Sequence, residues 1–336
     1  MTTNHRVRRW ATAGTGLALA LSLAACGGNV GGGSSDATAE YPDGPVTILV
    51  GADPGGSTDL IARAAAEGMS DELGVAVTVE NRPGANGALS LQELAGEEPD
   101  GQTLAIFNGS LAYITPFAVS ESEAVSIEDY DVVRGLSLDD YVLVTAPDSG
   151  FATVEDLGAA GRPINFGTTG VGTGSQLAQE LLFAQAGIEA TSVPFDGGAP
   201  TLTAVLGGQV DVGAIQLGEA IEQIEAGELT PIVTFAEQRP SYLPDTPTAV
   251  EAGYDAPVQQ SRALVAPQGT SAEVVDRLNQ SLDATFGTEA YQQFNADNQL
   301  TPWEVDGAQV TETYTSNLEN YRSVIEQYGI DLGGEQ

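Results

Sequence analysis

Short apolar runs alternate with amphipathic segments along most of the chain. Segments with apolar residues three and four positions apart are predicted to be helices: Asp59–Leu73, Leu89–Leu94, Ser175–Ala186, Pro200–Leu206, Leu217–Ala226 and Ala272–Ala284. The mostly apolar runs between them are predicted to be buried strands: Val46–Val50, Val75–Val79, Leu104–Phe107, Val142–Thr145, Ile164–Phe166, Thr191–Val193, Val210–Ile215, Ile232–Phe235 and Ala263–Ala266. Because strands joined by crossover helices run in parallel, this pattern predicts an α/β fold with a parallel sheet.

The ends of several helices are marked by their sequence. Thr153 with Asp156, and Thr270 with Glu273, have the spacing of a capping box. A last long helix is predicted at 308–328, and its apolar stripe is expected to pack on the core rather than to contact a ligand. The stripe consists of Val310, Tyr314, Leu318, Tyr321, Ile325 and Tyr328.

The N-terminal segment is typical of an export signal. Residues 1–25 contain no acidic residue. Three arginines lie near their start, and a short apolar run follows the arginines. That run is too short to remain as a membrane-spanning helix. The sequence Leu-Ala-Ala-Cys that ends at Cys26 resembles the lipobox of bacterial lipoproteins, which implies lipidation of Cys26; an ordinary thiol is the alternative. Residues 26–40 are rich in Gly, Ser and Thr and are predicted to be a flexible tether.

Composition excludes several kinds of function. Beyond residue 25 the chain has 8 arginines, no lysine and 47 acidic residues, a net charge of −39 that repels nucleic acid and anionic lipid. The single histidine, His5, lies in the predicted signal peptide, so no Ser-His-Asp or Cys-His catalytic arrangement is available. Without lysine there is no phosphate-binding loop of the Walker type. We therefore expect no enzymatic activity, no cofactor and no metal site.

Two glycine-rich loops each follow a predicted strand and precede a predicted helix. They lie in VGADPGGSTDLIAR, residues 50–63, and in FGTTGVGTGSQLAQEL, residues 166–181. Such a loop exposes backbone N–H groups at the positive end of a helix dipole, which binds anions without a basic side chain. The alternative is that each loop is a tight turn whose hydroxyl groups cap its own helix. The presence of two copies, in different halves of the chain, favours a shared anion-binding cleft.

Five blocks of the sequence resemble a known family. They are PGGSTDLIAR, ENRPGANGALSLQELAGEEPDGQTL, FGTTGVGTGSQLAQELLF, VPFDGGAPTLTAVLGGQVDV and LPDTPTAVEAG. In this order they resemble the substrate-binding proteins of tripartite tricarboxylate transporters over about residues 41–330. The resemblance implies a monomeric, two-lobed protein with a periplasmic-binding-protein-like (Venus flytrap) fold, which closes over a small carboxylate and delivers it to membrane subunits of the transporter.

The resemblance also implies a set of ligand-binding residues, contributed by the two loops, the cleft rim and a third segment. They are Asp53, Gly55, Gly56, Ser57, Asn86, Asn108, Ser110, Thr168, Thr169, Gly170, Gly172, Thr173, Ser175, Phe195, Asp196 and Gly197. Either asparagine alternatively satisfies a turn. Asp53 and Asp196 are either solvated loop acids or acceptors for an ammonium or hydroxyl group of the ligand.

Arg262 is the one basic residue expected at the site. It lies in QSRALVAP, where the chain is predicted to cross between the lobes. A planar guanidinium there would hold a second ligand carboxylate in a bidentate pair, and the alternative is a salt bridge between the lobes.

The chain is predicted to cross twice between the lobes. The first lobe comprises 41–141 and 266–336, and the second comprises 142–265. Two crossings form a hinge, so ligand binding is expected to favour the closed form.

The predicted function is therefore that of an extracytoplasmic, lipid-anchored solute-binding protein for a di- or tricarboxylate. Two alternatives remain: a ligand-binding partner of a sensor kinase, and a receptor for an amino acid or another zwitterionic solute.

Overall fold

The computed structural model describes residues 41–333. The predicted signal peptide, the tether, His5 and the predicted lipidation site Cys26 lie outside the described residues.

Ten strands and ten α-helices make up the described part of the chain. The strands are β1 (Val46–Val50), β2 (Val77–Asn81), β3 (Thr103–Asn108), β4 (Tyr130–Thr145), β5 (Ile164–Thr168), β6 (Ala190–Pro194), β7 (Val212–Gln216), β8 (Thr230–Thr234), β9 (Gln259–Pro267) and β10 (Thr301–Pro302). The helices are α1 (Ser57–Leu73), α2 (Ala88–Leu94), α3 (Ser110–Tyr113), α4 (Val154–Gly158), α5 (Gly174–Ala186), α6 (Gly198–Leu206), α7 (Leu217–Glu225), α8 (Ala272–Phe286), α9 (Glu289–Asp297) and α10 (Gly307–Tyr328).

Every predicted strand and helix is found, with ends displaced by a few residues. The largest difference is β4, which begins at Tyr130 rather than at Val142. Its first part is interrupted by irregularities in its pairing with β9, between Val132 and Arg134 and between Gly135 and Ser137. Bulges of this kind break the alternation of apolar and polar residues by which a strand is recognised in a sequence.

The sheet is mixed, so the prediction of a wholly parallel sheet is wrong. Its strand order is β2-β1-β3-β9-β4-β7-β5-β6. β1 is parallel to β2 and β3, and β5 is parallel to β6 and β7. β9 is antiparallel to both of its neighbours, and β4 is antiparallel to β7. The expectation fails there because the chain reaches β9 through 235–258, which contains no crossover helix.

β4 joins the two halves of the sheet. Its residues 130–140 pair with β9, and its residues 141–145 pair with β7 and β8. β9 pairs with β3 and with the first part of β4 along most of its length, which favours a second crossing before Gln259 rather than near 263–267. The division into lobes itself stays a prediction.

Each half of the sheet has its own buried apolar layer. Ile48, Ile61 and Leu264 pack together in the first half, and Val144, Val205 and Ile215 pack together in the second. Burying a side chain of this size stabilises the fold by about 1.5–3 kcal/mol. The predicted site residues lie at or just after the ends of β1, β3, β5 and β6.

One of the two predicted capping boxes is confirmed. Thr153 and Asp156 bond reciprocally at the start of α4. The second prediction is wrong, because α8 begins at Ala272 and Ser271, not Thr270, accepts the N–H of Val274.

The apolar stripe of α10 packs against the core, as predicted, except at its end. Val310 and Tyr314 are buried, and the ring of Tyr314 lies 5.4 Å from that of Tyr113. Tyr328 is 36% exposed.

Candidate functional site

The first glycine loop leads into α1, and side-chain carboxylates of the protein accept hydrogen bonds from its residues Gly55 and Ser57. Gly55 adopts φ 87°, and its N–H donates to Asp59 at 2.9 Å. The Ser57 N–H donates to Glu219 at 3.2 Å, while the Ser57 hydroxyl donates to Asp139 at 2.9 Å. Three acidic residues thus surround the N-terminus of α1, where their negative charge is stabilised by the helix dipole.

Asp59 is held in place by several donors. Arg63 donates to its carboxylate at 2.9 Å, which confirms the predicted pair on the helix, and Asn81 donates at 2.9 Å. Burial raises the pKa of Asp59, but the bonds from Arg63, Gly55 and Asn81 outweigh this effect and lower it.

The second glycine loop leads into α5, and its hydroxyl groups serve the loop and the helix. Thr173 accepts the N–H of Gln176 at 3.3 Å, so the capping alternative is confirmed for Thr173. Ser175 accepts the N–H of Thr169 at 3.2 Å and donates to the carbonyl of Ala214 at 2.7 Å. The first turn of α5 contains no acidic residue. Within residues 41–333, no acceptor is found for the N–H groups of Gly174 and Ser175.

The ring of Tyr141 lies against the start of α5. A Cβ atom at Gly174 would lie only 2.7 Å from a ring carbon of Tyr141, so glycine is required for this close approach. The Tyr141 hydroxyl donates to Gln260 at 3.2 Å. A residue at the middle of β4 is thus brought to the N-terminus of the helix that follows the second loop.

Arg262 is buried beside the first turn of α1 and is paired with an acidic residue. Its side chain is 1% exposed, and its guanidinium bonds to Asp139, whose side chain is 3% exposed. The Arg262 Nε donates to the Thr58 hydroxyl at 2.8 Å. Asp139 lies in β4, the strand next to β9, so the partner is in the same sheet. Ligand binding by Arg262 stays a prediction.

The predicted rim residues form a chain of hydrogen bonds between the two loops. Thr58 donates to Asn108 at 3.4 Å, and Asn108 donates to the carbonyl of Asn86 at 3.3 Å. Asn86 donates to Ser110 at 3.0 Å. The last residue in this series of hydrogen bonds is Thr115, which donates to the carbonyl of Gly172 at 2.9 Å.

The third predicted segment lies beside the second loop. The N–H of Phe195 donates to the carbonyl of Thr168 at 3.0 Å, and that of Gly197 donates to the carbonyl of Thr169 at 3.2 Å. Asp196 is exposed, as is Asp53 in the first loop. The structure therefore brings most of the predicted residues together and leaves these two acidic side chains in contact with solvent.

Glu219 is a site residue that the sequence analysis missed. It lies in the first turn of α7, and its Oε1 accepts the N–H of Ser57. Its Oε2 lies 1.6 Å from the position that a Cβ atom on Gly198 would occupy, at the start of α6. Burial raises the pKa of Glu219, and nearby Asp139 adds to this, while Ser57 and Arg262 oppose it. The sequence signal, an acidic residue shortly after an apolar strand, is too common to single it out.

Asp139 was also missed, for a different reason. It lies in the part of β4 that was not predicted as a strand, so nothing indicated that it would be buried beside Arg262.

The space between α1, α7 and α9 is narrow. A cavity of about 30 Å³ lies between α1, α7 and α9 and is lined by Ser57, Leu60, Gly218, Glu219, Phe294, Asn298 and Leu300. This is room for about one water molecule. Gly218 approaches α9 so closely that a Cβ atom there would lie 2.3 Å from the Asn298 carbonyl.

Residues 41–333 contain neither a metal-binding cluster nor a membrane-spanning helix. No group of three or more His, Cys, Asp or Glu side chains is placed to hold a metal ion. None of the helices in this range is both long and apolar enough to cross a bilayer.

Comparison with known proteins agrees with this architecture. The chain superposes on the periplasmic binding protein BugD with a TM-score of 0.80 at 24% identity, covering 88% of this chain and 100% of BugD. It also superposes on a protein of R. palustris, Rpa4515, whose structure contains adipate, with a TM-score of 0.81 at 25% identity, covering 87% and 99%. The predicted α/β, periplasmic-binding-protein-like fold is confirmed.

Sequence comparison identifies the family. A protein of Agrobacterium vitis, the UPF0065 protein in the TAR-I ttuE-ttuC' intergenic region, is 35% identical over 248 residues, which cover 72% of this chain and 71% of that protein. Residues 61–330 match the family described as "Tripartite tricarboxylate transporter family receptor". The chain therefore belongs to the tripartite tricarboxylate transporter receptors, which makes it a substrate-binding receptor and not an enzyme.

Proposed function

We propose that this chain captures a small carboxylate between its two lobes outside the cytoplasm and delivers it to the membrane subunits of a tripartite tricarboxylate-type transporter. The observation that carries the proposal is the series of hydrogen bonds that runs from Thr58, at the N-terminus of α1, through Asn108, Asn86 and Thr115 to the carbonyl of Gly172, just before α5. The adipate in the structure of Rpa4515 supports a carboxylate as the ligand.

The start of α5 is the position best suited to the ligand carboxylate. The N–H groups of Gly174 and Ser175 point along the helix axis away from the helix, and the first turn carries no acidic side chain to compete for them. An anion at this position gains both hydrogen bonds and a favourable interaction with the helix dipole, so a protein without lysine is still able to hold it.

Closure of the two predicted lobes over the ligand would retain hydrogen bonds that already join them. Residues of the predicted first lobe already bond to the predicted second lobe, for example Ser57 to Glu219 and Thr115 to Gly172. β4 continues from one half of the sheet into the other and would act as a hinge strand. A ligand that adds contacts to both lobes favours the closed form by its difference in affinity for the two forms.

The proposal also includes the predicted lipid anchor. Lipidation of Cys26 would tether the receptor to the outer face of the cell membrane, close to its transporter. A Cys26→Ser variant is expected to appear in the soluble rather than the membrane fraction of cells, and retention of the variant in the membrane would contradict the anchor.

The function is tested by ligand-dependent thermal stability of the chain from residue 41. A ligand that binds only the native protein raises its free energy of unfolding by about 2.7 kcal/mol at a hundredfold excess over Kd. Citrate, succinate, malate, adipate and glutamate would be compared with neutral sugars at a fixed salt concentration. We expect stabilisation by at least one carboxylate and none by the sugars. Stabilisation by a sugar alone would refute carboxylate binding, and uptake that is unchanged in cells without this chain would refute delivery.

A further inference from the structure

The two helix N-termini at the proposed site differ in what already occupies them. At α1, the Gly55 N–H is bonded to Asp59, the Ser57 N–H to Glu219 and the Ser57 hydroxyl to Asp139. At α5, the first turn of the helix contains no acidic residue, and none of the hydrogen bonds of the second loop within residues 41–333 involves a carboxylate. A ligand carboxylate at α1 would therefore lie beside three carboxylates of the protein, whereas one at α5 would not.

Within residues 41–333, no cation near α1 is free to offset a second ligand carboxylate. Six of the eight arginines between 41 and 333 are bonded to acidic side chains: Arg63, Arg82, Arg134, Arg162, Arg239 and Arg262. Arg277 bonds to the carbonyl of Glu72, and Arg322 lies 5.3 Å from the ring centre of Phe117. Arg262 alone is buried next to Ser57 and Thr58, and Asp139 already neutralises it.

Two carboxylate oxygens beside Ser57 lack a donor. Asp139 is 2% exposed, and its Oδ1 has no hydrogen-bond partner within residues 41–333. The Oε2 of Glu219 is also inaccessible and unbonded. Buried polar atoms are rarely left without a partner, so these two oxygens are open to a donor that is not part of the chain, either water or a group of the ligand. With Arg262 included, the three side chains carry one net negative charge.

We infer that the ligand carries a cationic amino group as well as one carboxylate, with the amino group between Asp139 and Glu219 and the carboxylate at the start of α5. An ammonium group has three donors and no acceptor, which matches two carboxylates with unbonded oxygens. The carboxylate half of this assignment rests on the proposed function. The amino group selects against dicarboxylates, whose second negative charge would meet two buried carboxylates at this end.

The test compares ligands that differ in a single group. One set consists of 5-aminopentanoate, hexanoate and adipate, which place an ammonium, a methyl or a carboxylate group at the end of the same carbon chain. A second set, 2-aminohexanoate, 2-methylhexanoate and butylmalonate, makes the same change beside the carboxylate. Kd values would be measured by calorimetry on the chain from residue 41. In one of the two sets, the amino compound is expected to bind with a Kd at least about tenfold lower than the other two members, because one charged hydrogen bond contributes about that much to affinity.

Two variants test the role assigned to the acidic residues. Glu219→Gln and Asp139→Asn are expected to reduce the preference for ammonium over carboxylate about tenfold, because each removes one charge from the amino site. The matched control is Glu225→Gln, an exposed residue of the same helix, which should leave the preference unchanged. The melting temperature of each variant, measured without ligand, identifies any loss of folding, and Glu219→Asp tests whether a carboxylate restores the preference.

The outcomes separate this inference from the proposed function. Tighter binding of adipate or butylmalonate than of both amino compounds would overturn the inference and leave carboxylate binding intact. An amino preference that survives in both Glu219→Gln and Asp139→Asn would overturn the placement of the amino group. Binding of pentylamine with the affinity of 5-aminopentanoate would show that the carboxylate contributes nothing and would refute the proposed function together with the inference.

Discussion

Replacing Arg262 is expected to destabilise this protein far more than replacing an arginine on its surface. The side chains of Arg262 and Asp139 are 1% and 3% exposed. In Arg262→Met, the Asp139 carboxylate stays buried and keeps only the Ser57 hydroxyl as a donor. Breaking a buried ion pair in this way costs about 3–5 kcal/mol, which is a large part of the roughly 5–15 kcal/mol that stabilises an ordinary domain.

The pair is best measured by a double-mutant cycle in urea without ligand. Arg262→Met, Asp139→Leu and the double variant would be unfolded at neutral pH. Because replacement of a whole buried pair by apolar side chains is often nearly neutral, the double variant is expected to be more stable than Arg262→Met by about 2 kcal/mol or more. The cycle isolates the interaction because each single replacement removes it and introduces no new polar group.

Arg239 and Glu251 provide the matched surface control. Their side chains are 41% and 47% exposed, so Arg239→Met should cost about 0–1 kcal/mol, and this cost should fall as salt is added. The cost of Arg262→Met should change little with salt, since water and ions do not reach the pair. A cost below about 1 kcal/mol for Arg262→Met, or a double variant as unstable as the sum of the single ones, would refute the reasoning.

Three further predictions concern a titrating group, a close contact and a helix cap. Burial, with a contribution from Asp331, raises the pKa of Glu180 to about 7, so its contribution to stability is present at acidic pH and is lost as the pH rises through about 7. In Glu180→Gln, the fall in unfolding free energy between acidic and alkaline pH should be smaller by about 1 kcal/mol. An unchanged pH profile would contradict this. Gly198→Ala places a Cβ atom against Oε2 of Glu219 and should cost about 1–3 kcal/mol in thermal unfolding; the cost should largely disappear in a Glu219→Ala background, and equal costs in both backgrounds would argue against the contact. Ser271→Ala should lower the free energy of unfolding by about 1 kcal/mol, because Ser271 caps α8. If replacing an exposed, non-capping serine by alanine lowers it more, the cap does not stabilise the helix.

Much of the local structure was predictable because it depends on neighbouring residues. The apolar spacing of α1, α5 and α10 gave their positions within two residues, and the capping box at Thr153 was correct. The two glycine loops were recognised for the same reason, since strand, loop and helix follow one another directly in the sequence.

The prediction failed where distant segments decide the structure. The first part of β4 carries no clear alternation and is held as a strand by its pairing with β9, more than a hundred residues later. The parallel sheet was wrong for the same reason, because the direction of β9 depends on the path of an irregular segment that has no helical signal.

The sequence by itself determined the class of protein: order of elements, family blocks, two helix N-termini built from glycine and hydroxyl residues, and the absence of catalytic histidine. Only the tertiary structure decided which charges meet at those N-termini. Asp139, Glu219 and Arg262 are far apart in the chain, yet all three are brought to Ser57 and Thr58. A sequence pattern reports periodicity and local spacing, whereas electrostatic interactions depend on distance in space, and in a buried site a few ångströms decide whether a helix N-terminus is occupied or open.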